Sequence, residues 1–498
     1  MDLNDQDSVN EARIYVRYGN GNQTNTLQKP FVLVEGFDLD LNPYDDKFGF
    51  LEWSTFVAGL SFDENGKSTR QNLADLKALA DSLYDNGYDA IMVDFKDGAG
   101  DMFKNGNALV KIIQWINYTK TTDEQLIVMG ASMGGLLSRY ALLKMELMEC
   151  DHCTKLYGTF DSPHKGANVP LSLQYAVDFY RSRGIADAEA GYQALGKPAA
   201  QQMLIHNIYP GSASYRSQWQ NWLDNHGHPT TPKKIAITNG HPEGQDAFSA
   251  GSMVYSFNYV RGGVSMAHAK LWSSVGGMLT FEGLIPRGRW KISKWTNRLL
   301  KLKSGRHFTQ VPSPTGYTYY DHRAGSQANW LTLLVDAISQ SKDIDPSKGT
   351  FTEYKPRDLF TTFVPTYSSL DFTTVNLNPD LKSMYPTQVS RNSPDPGTHP
   401  FDAIFFHSST VSGKTGNQQH VLVDADPGQN VDWIIDQIKS VQAINYPTTN
   451  LTSTYNLHGE MNITTYLDPI EINNSGLFQL NGDYQLYFGD PGDPGQTG

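Results

Sequence analysis

Residues Leu126–Gly135 read LIVMGASMGG, an apolar run that ends in Gly-Ala-Ser-Met-Gly and passes directly into a segment of helical period. In a G-x-S-x-G turn after a strand, the chain bends so sharply that the central residue takes a strained backbone angle. Small residues two places to either side avoid the resulting clash, and Gly130 and Gly134 supply them. The bare motif occurs by chance in many chains as an ordinary small-residue turn. Its context is what selects here: a strand before it, and after it Met133–Glu149, with apolar Met133, Leu136, Leu137, Tyr140, Ala141, Leu143 and Leu147. Ser132 is then expected at the top of a sheet, at a helix N-terminus whose dipole favours a developing anion. The expectation is a serine hydrolase.

The segments around that turn alternate. Lys29–Asp38 reads as a buried strand running into a glycine turn. Gln71–Asn86 reads as an amphipathic helix closed by Gly87, and Tyr88–Phe95 as the next strand. A helix over Asn107–Tyr118, the strand Gln125–Met129, the helix Met133–Glu149 and the strand Thr154–Phe160 continue the series. Alternation of this kind with apolar strands implies a parallel sheet with helices on both faces. After Asp161 the pattern breaks: Ser162–Pro232 is helical and polar, with a helix over Gln193–Tyr209, before Lys234–Asn239 returns to the sheet. Gly240–Thr350 carries alternating aromatics (VYSFNYV, MLTFEGL) and reads as a β-rich cap over the sheet. Ala403–Phe406 is the expected last core strand and Asn430–Val441 the closing helix, with Asn430 as its cap. Phe478–Leu480 and Tyr484–Phe488 flank Asn481-Gly482, a hairpin signal within a small β module near the C-terminal end. The expected division is an extension over 1–29, a catalytic domain over 30–446 with insertions at about 166–232 and 240–350, and a β module with its tail over 447–498.

A length of 498 residues allows a large core. The net charge of -12 argues against nucleic acid as a partner, because neutralising phosphates needs a basic face. Aromatics at 12% with charged residues at only 18% suggest a secreted or cell-surface protein facing carbohydrate or polymer. No run approaches eighteen apolar residues, so no transmembrane segment is expected. The polar start MDLNDQDSVN shows no signal peptide and fits either a mature end or a cytosolic start. Against the acidic whole, Arg287–Arg306 holds eight basic residues and no acidic ones. A solvated hairpin is the ordinary reading of such a run, and a docking patch for an anionic or lipid–water interface the functional one. The cysteines, Cys150 and Cys153, follow a helix C-terminus, where the dipole opposes a thiolate. A local disulfide or two idle thiols is expected. No H-E-x-x-H and no calcium-loop spacing occurs, so no metal and no cofactor is expected.

A serine hydroxyl needs a base to take its proton and a carboxylate to hold that base in the right tautomer. All thirteen histidines lie downstream of Ser132, which leaves the chain order Ser–acid–His. The base belongs on a loop between the last strand and the final helix, where His407 and His420 lie. His407 is one residue past the strand and is expected in or beside the sheet. His420 has the reach, and His458 falls in the β module.

Val34-Glu35-Gly36-Phe37, Gly130-Ala-Ser132-Met-Gly134 and Asp161-Ser-Pro-His164-Lys-Gly166 together resemble α/β-hydrolases of the lipase and GPI-inositol-deacylase type, serine esterases of secreted bacterial kind. Phe363-Val-Pro-Thr-Tyr-Ser-Ser-Leu-Asp371 resembles the segment that in many such lipases carries the acid and a Val-Pro turn. The resemblance covers about Pro30–Gly166, and Phe363–Val421 loosely. It implies an α/β-hydrolase fold, with the cap and the β module outside the likeness. Two departures matter. The usual His-Gly of the oxyanion turn is Glu35-Gly36, so Glu35 is expected to brace the loop, with Gly36 lining the site. The position before the Val-Pro turn is Thr361, which has no carboxylate. Where such lipases read Gly-Thr-Pro-His, this chain has Asp161, at a strand tip that is an alternative location for the acid. Asp161 is the first candidate, Asp246 and Asp371 the others, and a turn residue before Pro163 the ordinary reading. By the same resemblance His164 lines the site without being the base. The oxyanion hole would be the backbone N–H groups of Met133 and Phe37.

The reading is hydrolysis of carboxylic esters by Ser132, Asp161 and His420. An amidase or peptidase with the same triad, or a surface-binding protein on an inactive hydrolase core, stays open. The substrate, whether acylglycerol, acylated glycan or polyester, is not readable.

Overall fold

The computed structural model describes residue 10 and residues 12–38, 73–241, 244–286, 306–315, 321–331, 347, 349–355, 360–372, 399–406, 417–421, 423 and 429–444, with four backbone strands between 461 and 488. His407, His458 and the basic stretch, except Arg306, lie outside these residues.

Along the chain run β1 (Ala12–Arg17), β2 (Pro30–Val34), α1 (Leu73–Asp85), β3 (Asp89–Phe95), α2 (Met102–Thr119), β4 (Leu126–Ala131), α3 (Met133–Leu147) and β5 (Thr154–Phe160). Four helices follow, α4 (Leu171–Arg181), α5 (Ala186–Leu195), α6 (Pro198–Met203) and α7 (Ser212–His226), before β6 (Lys233–Thr238). Next come β7 (Met253–Arg261), β8 (Val264–Trp272), β9 (Leu279–Pro286), β10 (Arg306–Pro312), β11 (Gly325–Ala328), β12 (Thr350–Tyr354) and β13 (Thr361–Pro365). The series ends with α8 (Thr366–Ser369), β14 (Ala403–Phe406), α9 (Asn430–Ser440), β15 (Met461–Thr464), β16 (Glu471–Ile472), β17 (Phe478–Gln479) and β18 (Tyr484–Phe488).

The central sheet has the order β14-β6-β5-β4-β2-β3-β1-β18-β15. From β14 to β3 every pairing is parallel, and from β3 outward through β1, β18 and β15 every pairing is antiparallel. Both faces of the parallel block are covered, which is why its strands carry runs of consecutive apolar residues such as Phe31–Val34 and Ile127–Met129. In β2, Val32 and Val34 face α2 and α3 through Leu109, Ile113, Leu136 and Tyr140. Phe31 and Leu33 face the other way, toward Leu79 and Leu83 of α1 and Ile434 and Ile438 of α9. Adjacent residues thus serve opposite cores.

Apart from Lys29–Asp38, whose strand stops at Val34 ahead of the Gly36 turn, the core strands expected from apolar runs form within two residues of their expected ends. The helix expected over Asn107–Tyr118 starts earlier, at Met102, because Asp101 caps it by accepting from the Phe103 and Lys104 amides. Gly106, a poor helix former, is kept because the Tyr140 ring fills its place: a Cβ there would lie 2.3 Å from Tyr140 Cδ1. The single helix expected over Gln193–Tyr209 is interrupted. It breaks at Gly196, against which the Tyr209 ring packs, and restarts at Pro198 as α6. Asn430 is not the cap of α9: Gln429 holds that position, without a side-chain bond, and Asn430 is the buried first helical residue.

The segment Gly240–Thr350 is β-rich: β7 to β10 join β12 in a five-stranded antiparallel sheet in the order β10-β9-β8-β7-β12. Its inner face (Tyr255, Phe257, Leu271, Phe281) packs on Ala176 and Phe179 of α4. The ends of the chain depart from expectation. Ala12–Arg17, read as extension, is a sheet strand, and β18 pairs with β1 and β15. Asn481-Gly482, the expected hairpin turn, lies outside the described residues; among those described, β17 pairs with β16. The unpaired edge that β1 offers captures β18, a pairing that local turn signals do not encode. The cysteines are free thiols, and burial pushes Cys153 up. No helix among the described residues is long and apolar enough to cross a membrane.

Candidate active site

Ser132 occupies the bend between β4 and α3 with φ 51° and ψ -121°. The two flanking glycines are steric necessities. A Cβ on Gly134 would lie 2.2 Å from the carbonyl oxygens of Val34 and Glu35, and one on Gly130 2.2 Å from the Gly134 carbonyl. Gly36 abuts Ser132 from the neighbouring β2 loop, where a Cβ would lie 3.2 Å from Ser132 Cβ.

His420 Nε2 accepts from the Ser132 hydroxyl at 2.9 Å, and His420 Nδ1 donates to Asp161 Oδ2 at 2.6 Å. A carboxylate only accepts, so Nδ1 carries the proton and Nε2 presents its lone pair to the serine. Asp161, fully buried at the tip of β5, also accepts from the Asn239 and Val421 amides at 3.4 Å. Ser132, Asp161 and Val421 all have φ near +50°. For β-branched Val421 this backbone region is an outlier, and strain of this kind persists only where surrounding structure imposes it. The backbone around His420 is laced to β11: the Gln327 amide donates to Gln418 O at 2.8 Å, and the His420 amide to Gln327 O at 2.9 Å.

Glu35, just past the end of β2, ties its loop to β3, its Oε1 accepting from the Phe95 amide at 2.5 Å. Met133 is the first residue of α3, so its amide has no intrahelical partner, and Phe37 follows Gly36 on the adjoining loop.

These groups meet at one point of the topology. From β2 the chain crosses to β3 on one side and later to β4 on the other, so the loops leaving β2 and β4 diverge and open a crevice. Ser132 and Gly36–Phe37 lie on those two loops, Asp161 follows β5, and His420 follows β14. This strand order, with the Ser132 turn after β4, is the α/β-hydrolase fold.

No established sequence family and no curated protein matches the chain. Solved α/β-hydrolase structures overlap it in part. The lipase BlEst2 of Bacillus licheniformis in its propeptide form is 20% identical with a TM-score of 0.26, over 48% of this chain and 40% of that one. The chain therefore spans less than half of that protein. Est1E from Butyrivibrio proteoclasticus with ferulic acid bound is 10% identical at TM-score 0.25, over 45% of this chain and 74% of that one. A soluble variant of the monoglyceride lipase from Saccharomyces cerevisiae is 12% identical at 0.24, over 45% and 72%. The strand order of this chain, rather than these partial overlaps, carries the hydrolase fold.

The other acid candidates are engaged elsewhere. Asp246 pairs with Arg323 at 3.2 Å. Asp371 accepts from Arg139 Nη1 at 2.9 Å and His228 Nε2 at 2.7 Å, and lies 3.1 Å from Lys165 Nζ. His164, expected to line the site, is fully buried and turned toward this cluster, with Nδ1 3.3 Å from Arg139 Nη1. The reason is charge: the buried guanidinium needs acceptors, and His164 and Asp371 supply them. Burial holds His164 well below the usual imidazole range, with His228 adding to it, while burial and Arg139 bring His228 down to about 4. Burial alone would raise Asp371, but Arg139 and the His228 bond keep it well below the carboxylate range. His164, His228 and Asp371 are metal-ligand types, with candidate donor atoms within 4.8 Å of one another. The cations already on the carboxylate, Arg139 and Lys165, oppose a divalent ion there.

Two neighbours of His420, and a third ring behind one of them, escape sequence reasoning. Ser326 Oγ lies 3.2 Å from His420 Nδ1, the Phe363 ring meets the imidazole edge-on at 4.7 Å, and Trp330 meets Phe363 at 5.0 Å. Phe363 sits in a segment whose likeness is visible, but nothing local relates it, or Ser326, to His420.

Proposed function

We propose that this chain hydrolyses carboxylic esters through an acyl-enzyme, with Ser132 as nucleophile, His420 as general base and Asp161 as the carboxylate that fixes the imidazole. The observation that supports this reading is the unbroken hydrogen-bond chain of 2.9 and 2.6 Å from Ser132 through His420 to Asp161, at the crevice above the sheet. Ser132 Oγ attacks the ester carbonyl carbon while its proton passes to His420 Nε2. The oxyanion accepts from the amides of Met133 and Phe37, a stabilisation worth on the order of 3 kcal/mol per donor. Collapse breaks the bond to the alcohol oxygen, which takes the proton from Nε2. Water, deprotonated at the same nitrogen, then attacks the acyl carbon and releases the acid with Ser132 restored. Asp161 stays ionised and balances the imidazolium. The aromatic pair Phe363 and Trp330 fits an apolar acyl or aryl group. Secretion and a docking role for Arg287–Arg306 rest on composition alone.

The test is labelling with a fluorophosphonate together with hydrolysis of p-nitrophenyl esters of rising chain length, an insoluble polyester and a matched anilide. Wild-type protein is expected to label and to cleave the esters in preference to the anilide, and Ser132→Ala to do neither, with a loss of several orders of magnitude in rate. A Ser132→Ala variant keeping a tenth of wild-type activity would overturn the assignment.

A further inference from the structure

We propose that Ser326 is a positioning residue for His420: its hydroxyl is a second acceptor for the imidazole Nδ1 proton and holds the ring in the orientation that presents Nε2 to Ser132. The proposal rests on the reading of His420 as the general base.

The first ground is directional. Because Asp161 can only accept, the proton lies on Nδ1, and the Ser326 oxygen 3.2 Å away receives the same N–H. The hydroxyl hydrogen of Ser326 is directed to Val364 O, at 3.5 Å. That leaves a lone pair for the histidine. Ser326 is fully buried, so bulk water does not compete for the contact.

The second ground is how the backbone delivers that oxygen. β11 pairs antiparallel with β13, and its register shifts between Ser326 and Gln327. A shift of this kind re-aims a side chain and frees neighbouring backbone groups. Here Gln327 turns its amide and carbonyl to Gln418 and His420, while Ser326 presents its hydroxyl oxygen to the ring. Two consecutive residues therefore fix the backbone and the side chain of one histidine.

The third ground is what the ring would otherwise do. A half-turn of the imidazole about its Cβ–Cγ bond places carbons where Nδ1 and Nε2 stood, and C–H is a poor partner for both Asp161 and Ser326. Two acceptors converging on the Nδ1 corner penalise that turn more than one does. The edge-on Phe363 ring, at 89°, confines the imidazole from another side. When Nε2 takes up the Ser132 proton, the Nδ1–H becomes a charged donor, and its bond to the Ser326 oxygen strengthens. Ser326 thus favours the protonated ring over the neutral one.

The experiment compares Ser326→Ala, Ser326→Cys and Ser326→Thr with wild type on a soluble p-nitrophenyl ester. For Ser326→Ala, kcat is expected to fall roughly tenfold with KM unchanged, the scale of one neutral hydrogen bond. The acid limb of its kcat/KM profile is expected to move to lower pH, and the downfield proton resonance of His420 Nδ1, identified by its loss in His420→Ala, to shift. Ser326→Thr, which keeps the hydroxyl, restores all three. A merely structural serine would lower the unfolding temperature and leave the pH profile and the resonance in place. That result, or a threonine variant as impaired as alanine, overturns the proposal. If Ser326→Ala does not fold, Ser326→Cys, close in size and a weak acceptor, is read in its place against the same outcomes. Should wild type neither cleave esters nor label with fluorophosphonate, the ester-hydrolase reading fails, and the resonance alone decides whether Ser326 holds the ring.

Discussion

His420 Nδ1 lies 2.6 Å from Asp161 Oδ2, although 259 positions separate them along the chain. An amide in place of that carboxylate can donate as well as accept, so it tolerates the wrong tautomer, in which Nε2 carries the proton and cannot act as base. Asp161→Asn is expected to lower kcat by about four orders of magnitude. Its combination with His420→Ala should lose little more than the single variants, because the three groups work as a unit. Steady-state kinetics on a p-nitrophenyl ester, with burst titration to count sites, measure this.

Asp371 gives the opposite outcome. Asp371→Asn leaves the Arg139 guanidinium, 2% exposed, without its counter-charge. Removing one partner of a buried ion pair costs about 3–5 kcal/mol. Urea unfolding should show that loss, while the folded fraction keeps its turnover. If Asp371→Asn were inactive and Asp161→Asn active, the roles of the two carboxylates would be reversed.

The elbow makes a steric prediction. Gly134→Ala drives a methyl group to 2.2 Å from two backbone carbonyl oxygens, neither of which can rotate away. A destabilisation of about 3 kcal/mol, the upper end for overpacking, is expected by thermal unfolding. Gly36→Ala meets Ser132 Cβ at 3.2 Å, a contact relieved by a few tenths of an ångström. It should cost less stability and more turnover, since what yields is Ser132, the proposed nucleophile.

The Arg139 cluster sets a pH dependence of stability. His228 titrates at about 4 in the folded protein, against 6.5 for an unperturbed imidazole, because burial opposes its charge. His164 is lowered likewise. As pH falls below 6.5 the unfolded chain takes up protons that the folded chain refuses, so stability declines between about 6.5 and 4. Asp371, depressed in the folded state, adds a further loss as pH falls below its unfolded value of 3.8. Urea midpoints from pH 8 to 4 should therefore drop well above the carboxylate range. His228→Gln, which keeps a side-chain N–H for Asp371, should flatten that decline. An unchanged slope would mean that the cluster does not drive it.

How much of this was legible in the sequence follows from the range of the forces involved. The apolar strands Phe31–Val34, Ile127–Met129 and Ile235–Ile237 announce a doubly covered parallel sheet, because each residue in them must be buried whichever way it faces. The Ser132 turn is equally local: the clashes that demand Gly130 and Gly134 arise within a few residues and the adjoining strand, so the motif carries its own geometry. The expectation for His420 came from reasoning about strand ends and that for Asp161 from the lipase resemblance; strand tips in a parallel sheet share one edge, where the two side chains and Ser132 come together.

What only the tertiary structure decided involves contacts between segments with no common local signal. A polar residue such as Asp371 or His164 reads the same whether it faces a nucleophile or a buried guanidinium, and the packing of Arg139 settled which. The capture of β18 by the β1 edge had no local signal to announce it, since an open strand edge offers its backbone groups to any strand that reaches it. Ser326, 94 positions from His420, entered the site through a register shift in a cap strand. Sequence thus determined where apolar runs lie and where the chain bends sharply, because those preferences are local. Which polar groups meet depended on how buried charge found partners and how strand edges closed, and those are properties of the folded whole.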